Sequence, residues 1–294
     1  MSARVALVYA VVACIWGTTW FAIRRCIGEG GYPTLESASL RFAIAAGVLG
    51  ALYASGRGRP GPKGARQLWG LAACGVLCAL GYALVYLGEE SISGGLAAVL
   101  YGTFPLWTAL FATVGGVERV TGRALAGSLL AIGGTAFLFA DRLDVSRAQG
   151  KGVVLVLVSV VASALYTTLM KRVAAGVSPL ASTGVFLGTS AIVLGAAGAM
   201  AEGRPLPWPP PPGPTLALLY LALVGSVVVF AAYFWLLERV SLMTLSTLVL
   251  VEPIIALAVD AAWERGVVLV ARSYAGIALT IAGVAVSIVR RPRD

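Results

Sequence analysis

The chain reads as long apolar runs parted by short breaks that are polar or rich in glycine and proline. Ten runs approach the length of a membrane-crossing helix, about 20 mainly apolar residues: 4–24, 35–54, 67–87, 93–115, 123–140, 152–171, 180–201, 215–237, 241–263 and 271–289. The pattern predicts an all-α membrane protein with ten transmembrane helices. The division between the eighth and ninth runs rests on Glu238-Arg239 alone. No break is long enough for a soluble domain. RGRPGPKGAR (57–66) parts the second run from the third, and GRPLPWPPPPGP (203–214) parts the seventh from the eighth. The prolines of the latter favour a stiff, extended linker. They would also suit an SH3-type ligand, for which a short loop of a membrane protein is a poor setting. The first run opens like a secretory signal, MSARVALVYAVVACIWG, with VVAC similar to a lipoprotein cleavage box. It continues past Cys14 to Ile23, beyond the about 7–15 residues of a signal core, and is read as a retained helix.

Composition strengthens this reading. Of 294 residues, 59% are hydrophobic and only 12% charged, against about 25% charged in soluble domains. The net charge of +9 would suggest nucleic acid in a soluble chain. Here the basic residues cluster between apolar runs, as in 57–66, Lys171-Arg172 and Arg290, Arg291 and Arg293. The expected partners are therefore the lipid bilayer and a small-molecule substrate, not nucleic acid, and no oligomeric state is implied. Histidine is absent, which removes His triads, His relays and most zinc sites. Cys74 and Cys78 lie one helical turn apart in an apolar run without further ligands, and read as small core residues. No metal and no cofactor are expected. With few membrane acids and no base beside any serine, catalysis is not expected either. No phosphate-binding GxxxxGK[ST] loop is present.

Basic residues also orient the chain, because cytoplasmic loops carry the excess of Lys and Arg. A cytoplasmic N-terminus puts 13 of them inside and 8 outside, with Arg41 within the second helix. Both termini are expected in the cytoplasm of a multi-pass inner-membrane protein. The bias is moderate, since the 141–151 segment is basic on the outer side.

An internal repeat divides the chain. GSLLAIGGTAFLF (127–139) aligns with GIALTIAGVAVSI (276–288), including Gly127 with Gly276 and Gly134 with Gly283, at a spacing of 149 residues. Pro105 in YGTFPLWTALF precedes Pro253 in LVEPIIALAVD by 148, and Arg24-Arg25 has a counterpart in Lys171-Arg172. Two repeats, 1–145 and 146–294, would each hold five helices. An odd number inverts the second repeat, a transporter signature.

IWGTTWFAIRR (15–25), SLRF (39–42), FPLWTALF with GGVERV (104–120) and the Gly127 and Gly276 helices together make the chain resemble the EamA-type family of the drug/metabolite transporter superfamily. The resemblance spans essentially the whole chain. It implies ten helices in two inverted five-helix repeats, a central cavity lined by helices one, three, four, six, eight and nine, and usually metabolite export. Glu118 stands 13 residues after Pro105, as the family pattern has it; Glu264 stands only 11 after Pro253, with GVVLVAR in place of a short polar turn.

Within the membrane, Glu252 is the most informative residue. A carboxylate at the bilayer centre costs about 2.5–3.5 kcal/mol. It could bind a substrate ammonium or carry a coupling proton, or simply bond backbone freed by Pro253; the family commonly has a glutamate before this proline. Pro105 and Pro253 could hinge alternating access or be static kinks. Trp16, Trp20, Tyr82, Tyr86, Tyr101 and Phe104, joined by Tyr166 and Tyr233, recur at helical spacing. They are cavity candidates for flat or partly apolar solutes, or core packing. Thr18, Thr19, Thr103 and Thr167 could orient a substrate, and Thr19 is kept among the candidates. Asp260 reads as solvated near the outer end, Arg41 as an anchoring or packing residue able to snorkel, Trp69 as an interface residue, and Glu118 and Glu264 as helix-end anchors. The favoured function is a secondary transporter exporting amino acids or related small metabolites. Uptake or equilibration of sugars, nucleosides or lipid-linked groups, and a non-transporting bundle acting as sensor or assembly partner, are the competing readings.

Overall fold

A computed structural model describes residues 2–57, 59–92, 94–138, 147–203, 205–263 and 271–288, and every regular element among them is helical. The first three runs become α1 (Ala3–Ile27), α2 (Thr34–Ala54) and α3 (Ala65–Glu89). The fourth is broken into α4 (Gly94–Tyr101) and α5 (Phe104–Val114). Three helices follow: α6 (Gly122–Leu138), α7 (Arg147–Val173) and α8 (Pro179–Ala201). The eighth run holds α9 (Pro212–Ala222), a π-helical turn (Leu223–Val228) and α10 (Val229–Leu237). The ninth is α11 (Leu242–Ser246) with α12 (Leu248–Trp263), and the last is α13 (Ala271–Ile288). Among the described residues, eight stretches are long and apolar enough to cross a membrane, and the apolar helices Gly122–Leu138 and Arg272–Ile288 are shorter. Glu264, the 141–146 segment, the ends of the fifth and tenth expected helices, the repeat boundary at 145/146 and the C-terminal arginines lie outside the described residues, as does the side chain of Asp260.

The eighth and ninth runs are separate. A helix start needs acceptors for its unpaired N–H groups, and Ser241 caps α11 by accepting from Thr244 N at 3.0 Å. Glu118 reaches across from the α5–α6 connection to accept from Leu242 N at 2.5 Å, so it anchors a helix end as expected. Glu202 does the same for α2, accepting from Leu35 N at 2.7 Å and Glu36 N at 2.9 Å. At the opposite pole, Lys171 Nζ donates to the Leu237 carbonyl and, at 2.7 Å, to the Val240 carbonyl beyond α10. A cation there also complements the helix dipole. Glu118 and Glu202 thus link the first part of the chain to the second, while Lys171 joins α7 to the α10–α11 connection. Trp69, 72% exposed on α3, is placed to meet the surroundings rather than the core.

Lipid tails supply no hydrophobic reason for helices to associate, so small residues that permit close backbone approach matter most. Two antiparallel pairs use them. Along α2 and α8, Gly195 lies against Ser39 and Gly198 against Glu36, while Ser39 Oγ donates to the Ala191 carbonyl at 2.9 Å. Along α6 and α13, a methyl group on Gly127 would fall 2.5 Å from Ser287 N, one on Gly134 2.5 Å from Thr280 N, one on Gly276 2.8 Å from Leu138 Cα and one on Gly283 2.4 Å from Ala131 N. A third close approach sets the centre of the molecule. A methyl on Gly17 of α1 would meet Ile255 Cβ at 2.6 Å and the Glu252 carbonyl at 3.2 Å. That contact lays the Trp16–Trp20 face of α1 against α12.

Candidate functional site

A cavity of about 70 Å³ opens at this crossing, lined from both halves of the chain. Nine of the ten cavity candidates line it. Trp16, Thr19 and Trp20 come from α1, Tyr82 from α3, Tyr101 from the end of α4, Phe104 from the start of α5, Tyr166 from α7, Tyr233 from α10 and Glu252 from α12. Tyr86 does not line it; fully buried, it stands behind Arg41 and accepts from its Nη1 at 3.3 Å.

Glu252 is 4% exposed. Its Oε2 accepts a hydrogen bond from Trp20 Nε1 at 3.2 Å. Trp20 in turn meets Tyr101 edge-on, with centroids 5.3 Å apart. The Tyr101 hydroxyl pairs with Ser159 Oγ at 2.6 Å and Ser163 Oγ at 3.3 Å. Trp16 packs on Tyr233 at 4.8 Å and edge-on against Phe230 at 5.5 Å, and its own Nε1 is buried without a hydrogen-bond partner. Thr167 pairs with the Tyr233 hydroxyl at 3.2 Å. Thr19 Oγ1 donates to the Trp16 carbonyl at 2.7 Å, and Thr103 Oγ1 to the Leu100 carbonyl at 2.8 Å. Thr18 turns away and pairs with the Tyr220 hydroxyl of α9 at 2.5 Å. The result is an aromatic chamber in which the Tyr101, Tyr233 and Thr19 hydroxyls are paired within the protein, with the Glu252 carboxyl group among the lining residues.

Arg41 departs from its expected place. Seven residues inside α2 it was near enough to an end to snorkel, yet it is 1% exposed and lines the cavity. The reason lies in the π-helical turn. Inserting a residue into a helix shifts its hydrogen-bond ladder and re-aims its carbonyls. Arg41 Nη2 donates to the Gly225 carbonyl of that turn at 2.9 Å, and Nε donates to Ser226 Oγ at 2.8 Å. Ser226 Oγ in turn donates to the Leu221 carbonyl at 2.8 Å. The guanidinium also lies over the rings of Phe42 (5.3 Å) and Tyr82 (5.2 Å), the arrangement of a cation–π contact. Glycine at 225 leaves room, since a methyl there would stand 3.0 Å from Thr19 Cγ2 and 3.5 Å from Arg41 Nη2. The signal for Arg41 was present: an ionisable residue within an apolar run is a functional candidate by default. The Gly225-Ser226 pair was the signal for the irregular turn.

The two prolines occupy different backbone settings. Pro105 sits in the first turn of α5, where no helical N–H is missed, directly after the break at Gly102–Thr103. Pro253 is inside α12, six residues beyond the break at Thr247. Cys26, Cys74 and Cys78 are buried and Cys14 is exposed, all as free thiols.

A bundle of apolar helices around a cavity carrying a buried carboxyl group and a buried guanidinium defines a polytopic membrane transporter. The model of the EamA-like transporter family matches residues 4–140 and again 150–289. The chain belongs to that family. It is 30% identical over 82% of its length to "Uncharacterized inner membrane transporter YedA" of Escherichia coli (strain K12), covering 77% of that protein. It is 31% identical over 95% of its length to "Probable terminal-alkyne amino-acid exporter" of Streptantibioticus cattleyicolor, covering 91% of it. A protein of known crystal structure shares the fold with a TM-score of 0.77, at 20% identity over 98% of both chains. The protein is thus a multi-pass membrane transporter of this family.

Proposed function

We propose that the chain exports amino acids or related small metabolites by alternating access around the central cavity. In this reading it crosses the inner membrane ten times, with both termini cytoplasmic, as two inverted five-helix repeats, 1–145 and 146–294. The observation that carries the reading is the buried Glu252 carboxyl group in an aromatic chamber built from both halves: a counter-charge for an ammonium group, with apolar walls for a side chain.

Three further findings support it. The family matches fall as two stretches, 4–140 and 150–289. The α6–α13 contacts exchange under the repeat: Gly127 against Ser287 corresponds, 149 residues on, to Gly276 against Leu138, and Ala131 against Gly283 to Thr280 against Gly134. Antiparallel helices related in this way imply an axis in the membrane plane. Finally, the cavity of about 70 Å³ is short of the roughly 300 Å³ at which ligand pockets begin. A substrate therefore requires the helices to part, and the breaks at Gly102–Thr103 and Thr247 supply joints in the cavity wall.

The test is efflux of an amino-acid-rich metabolite panel from cells carrying the wild type, Glu252→Gln or an empty vector. Export by the wild type, cut sharply but not to the empty-vector level in Glu252→Gln at equal membrane abundance, is expected. Equal efflux by both would reduce Glu252 to a structural residue. Efflux of nothing, with uptake instead, would reverse the direction proposed.

A further inference from the structure

Arg41 is a cation held inside the membrane without a carboxylate partner among the described residues. Each of its hydrogen bonds goes to a neutral acceptor: the Gly225 carbonyl, Ser226 Oγ and Tyr86 Oη. Glu89, one turn beyond Tyr86, is within electrostatic reach, yet both its oxygens are buried with no hydrogen-bond partner, and it does not line the cavity. Burying an unpaired charge is costly, and proteins do so where the charge has work to do. A guanidinium offers five N–H groups in a fork that matches a carboxylate. Three are engaged here, and the residue lines the cavity. The engaged ones face the π-helical turn and α3, so they fix the plane of the fork.

We infer that Arg41 is the docking group for the substrate's carboxylate, held in position by the Gly225 carbonyl and Ser226 of the π-helical turn. This rests on the amino-acid reading above and sharpens it: Glu252 meets the ammonium group and Arg41 the carboxylate, so a free carboxylate is a condition of transport. Solutes carrying only the ammonium group are rejected, because they leave the guanidinium desolvated and unmatched.

Purified protein in proteoliposomes tests this with L-phenylalanine and L-leucine, each beside its carboxamide and its decarboxylated amine, and with uridine and glucose as solutes lacking both groups. The wild type is expected to move the amino acids at least about tenfold better than their amides or amines, the discrimination typical of a lost charged hydrogen bond. Arg41→Gln should raise KM for the amino acids about 10- to 100-fold, with Arg41→Lys recovering part of the loss and kcat changing less than KM. The comparison within the wild type does not depend on the variants folding. Equal transport of an amino acid and its carboxamide overturns the inference and leaves the exporter standing. An unchanged KM in a folded Arg41→Gln does the same. Transport of uridine or glucose alone overturns both. So does a wild type that moves nothing and whose thermal midpoint none of the carboxylates raises.

Discussion

Glu252 and Arg41 line one cavity, yet only Glu252 was marked as a cavity candidate by its position in the chain. Glu252 lies mid-run before a proline, where any reading of depth leaves it in the membrane. Arg41 lies seven residues into α2, about 10 Å along the axis, a distance a long side chain can span. Whether it turns outward depends on which face of α2 meets protein, and lipid and protein neighbours are equally apolar, so periodicity is silent on that point. The aromatic candidates were legible because aromatic rings at helical spacing mark one face; Tyr86 misled because the face it shares with Tyr82 continues beyond the cavity. The Trp20–Glu252 hydrogen bond at 3.2 Å carries a prediction of its own. Trp20→Phe keeps an aromatic ring and removes the donor. Initial efflux rates should fall in Trp20→Phe, and fall little further when it is added to Glu252→Gln, because contacting residues are not additive. Fully additive losses would separate the two residues functionally.

At the scale of elements, helix existence was plain and helix interruption was not. Apolar length predicts a crossing, but the breaks at Gly102–Thr103 and Thr247 and the π-helical turn cost no hydropathy. They are settled by packing and by side chains such as Thr103, whose hydroxyl takes up a nearby carbonyl. The glycine-rich helices were more informative, since their close approach is what glycine permits. Gly134 meets Thr280 backbone, whereas the adjacent Gly133 has nothing within 4 Å. Gly134→Leu should therefore lower the thermal midpoint in detergent by several degrees, in line with about 1–3 kcal/mol for overpacking. Gly133→Leu should leave it nearly unchanged. Equal effects at the two positions would mean that the α6–α13 seam is not what glycine protects.

For the whole molecule, the charge count and the repeat together make a topological prediction. Glu29 follows α1 and Ala175 follows the counterpart helix α7, and both are exposed. In a chain with its four cysteines replaced, Glu29→Cys should react with a membrane-impermeant maleimide on intact cells, and Ala175→Cys only after lysis. Labelling of both from one side would remove the inversion, and the reverse pattern would turn the chain over. The seam between α6 and α13 has a consequence of another kind. Its glycine contacts come in twins, as in an isologous dimer, where every interface residue counts twice. If the halves are the proposed five-helix repeats, two free ones meeting through such a surface would assemble only as their concentration in the membrane allowed. Joined in one polypeptide, the two halves meet at a local concentration set by the linker. Pairing then no longer depends on how much protein the cell makes, and the two halves need not match at every position: Glu252 stands 148 residues after Phe104.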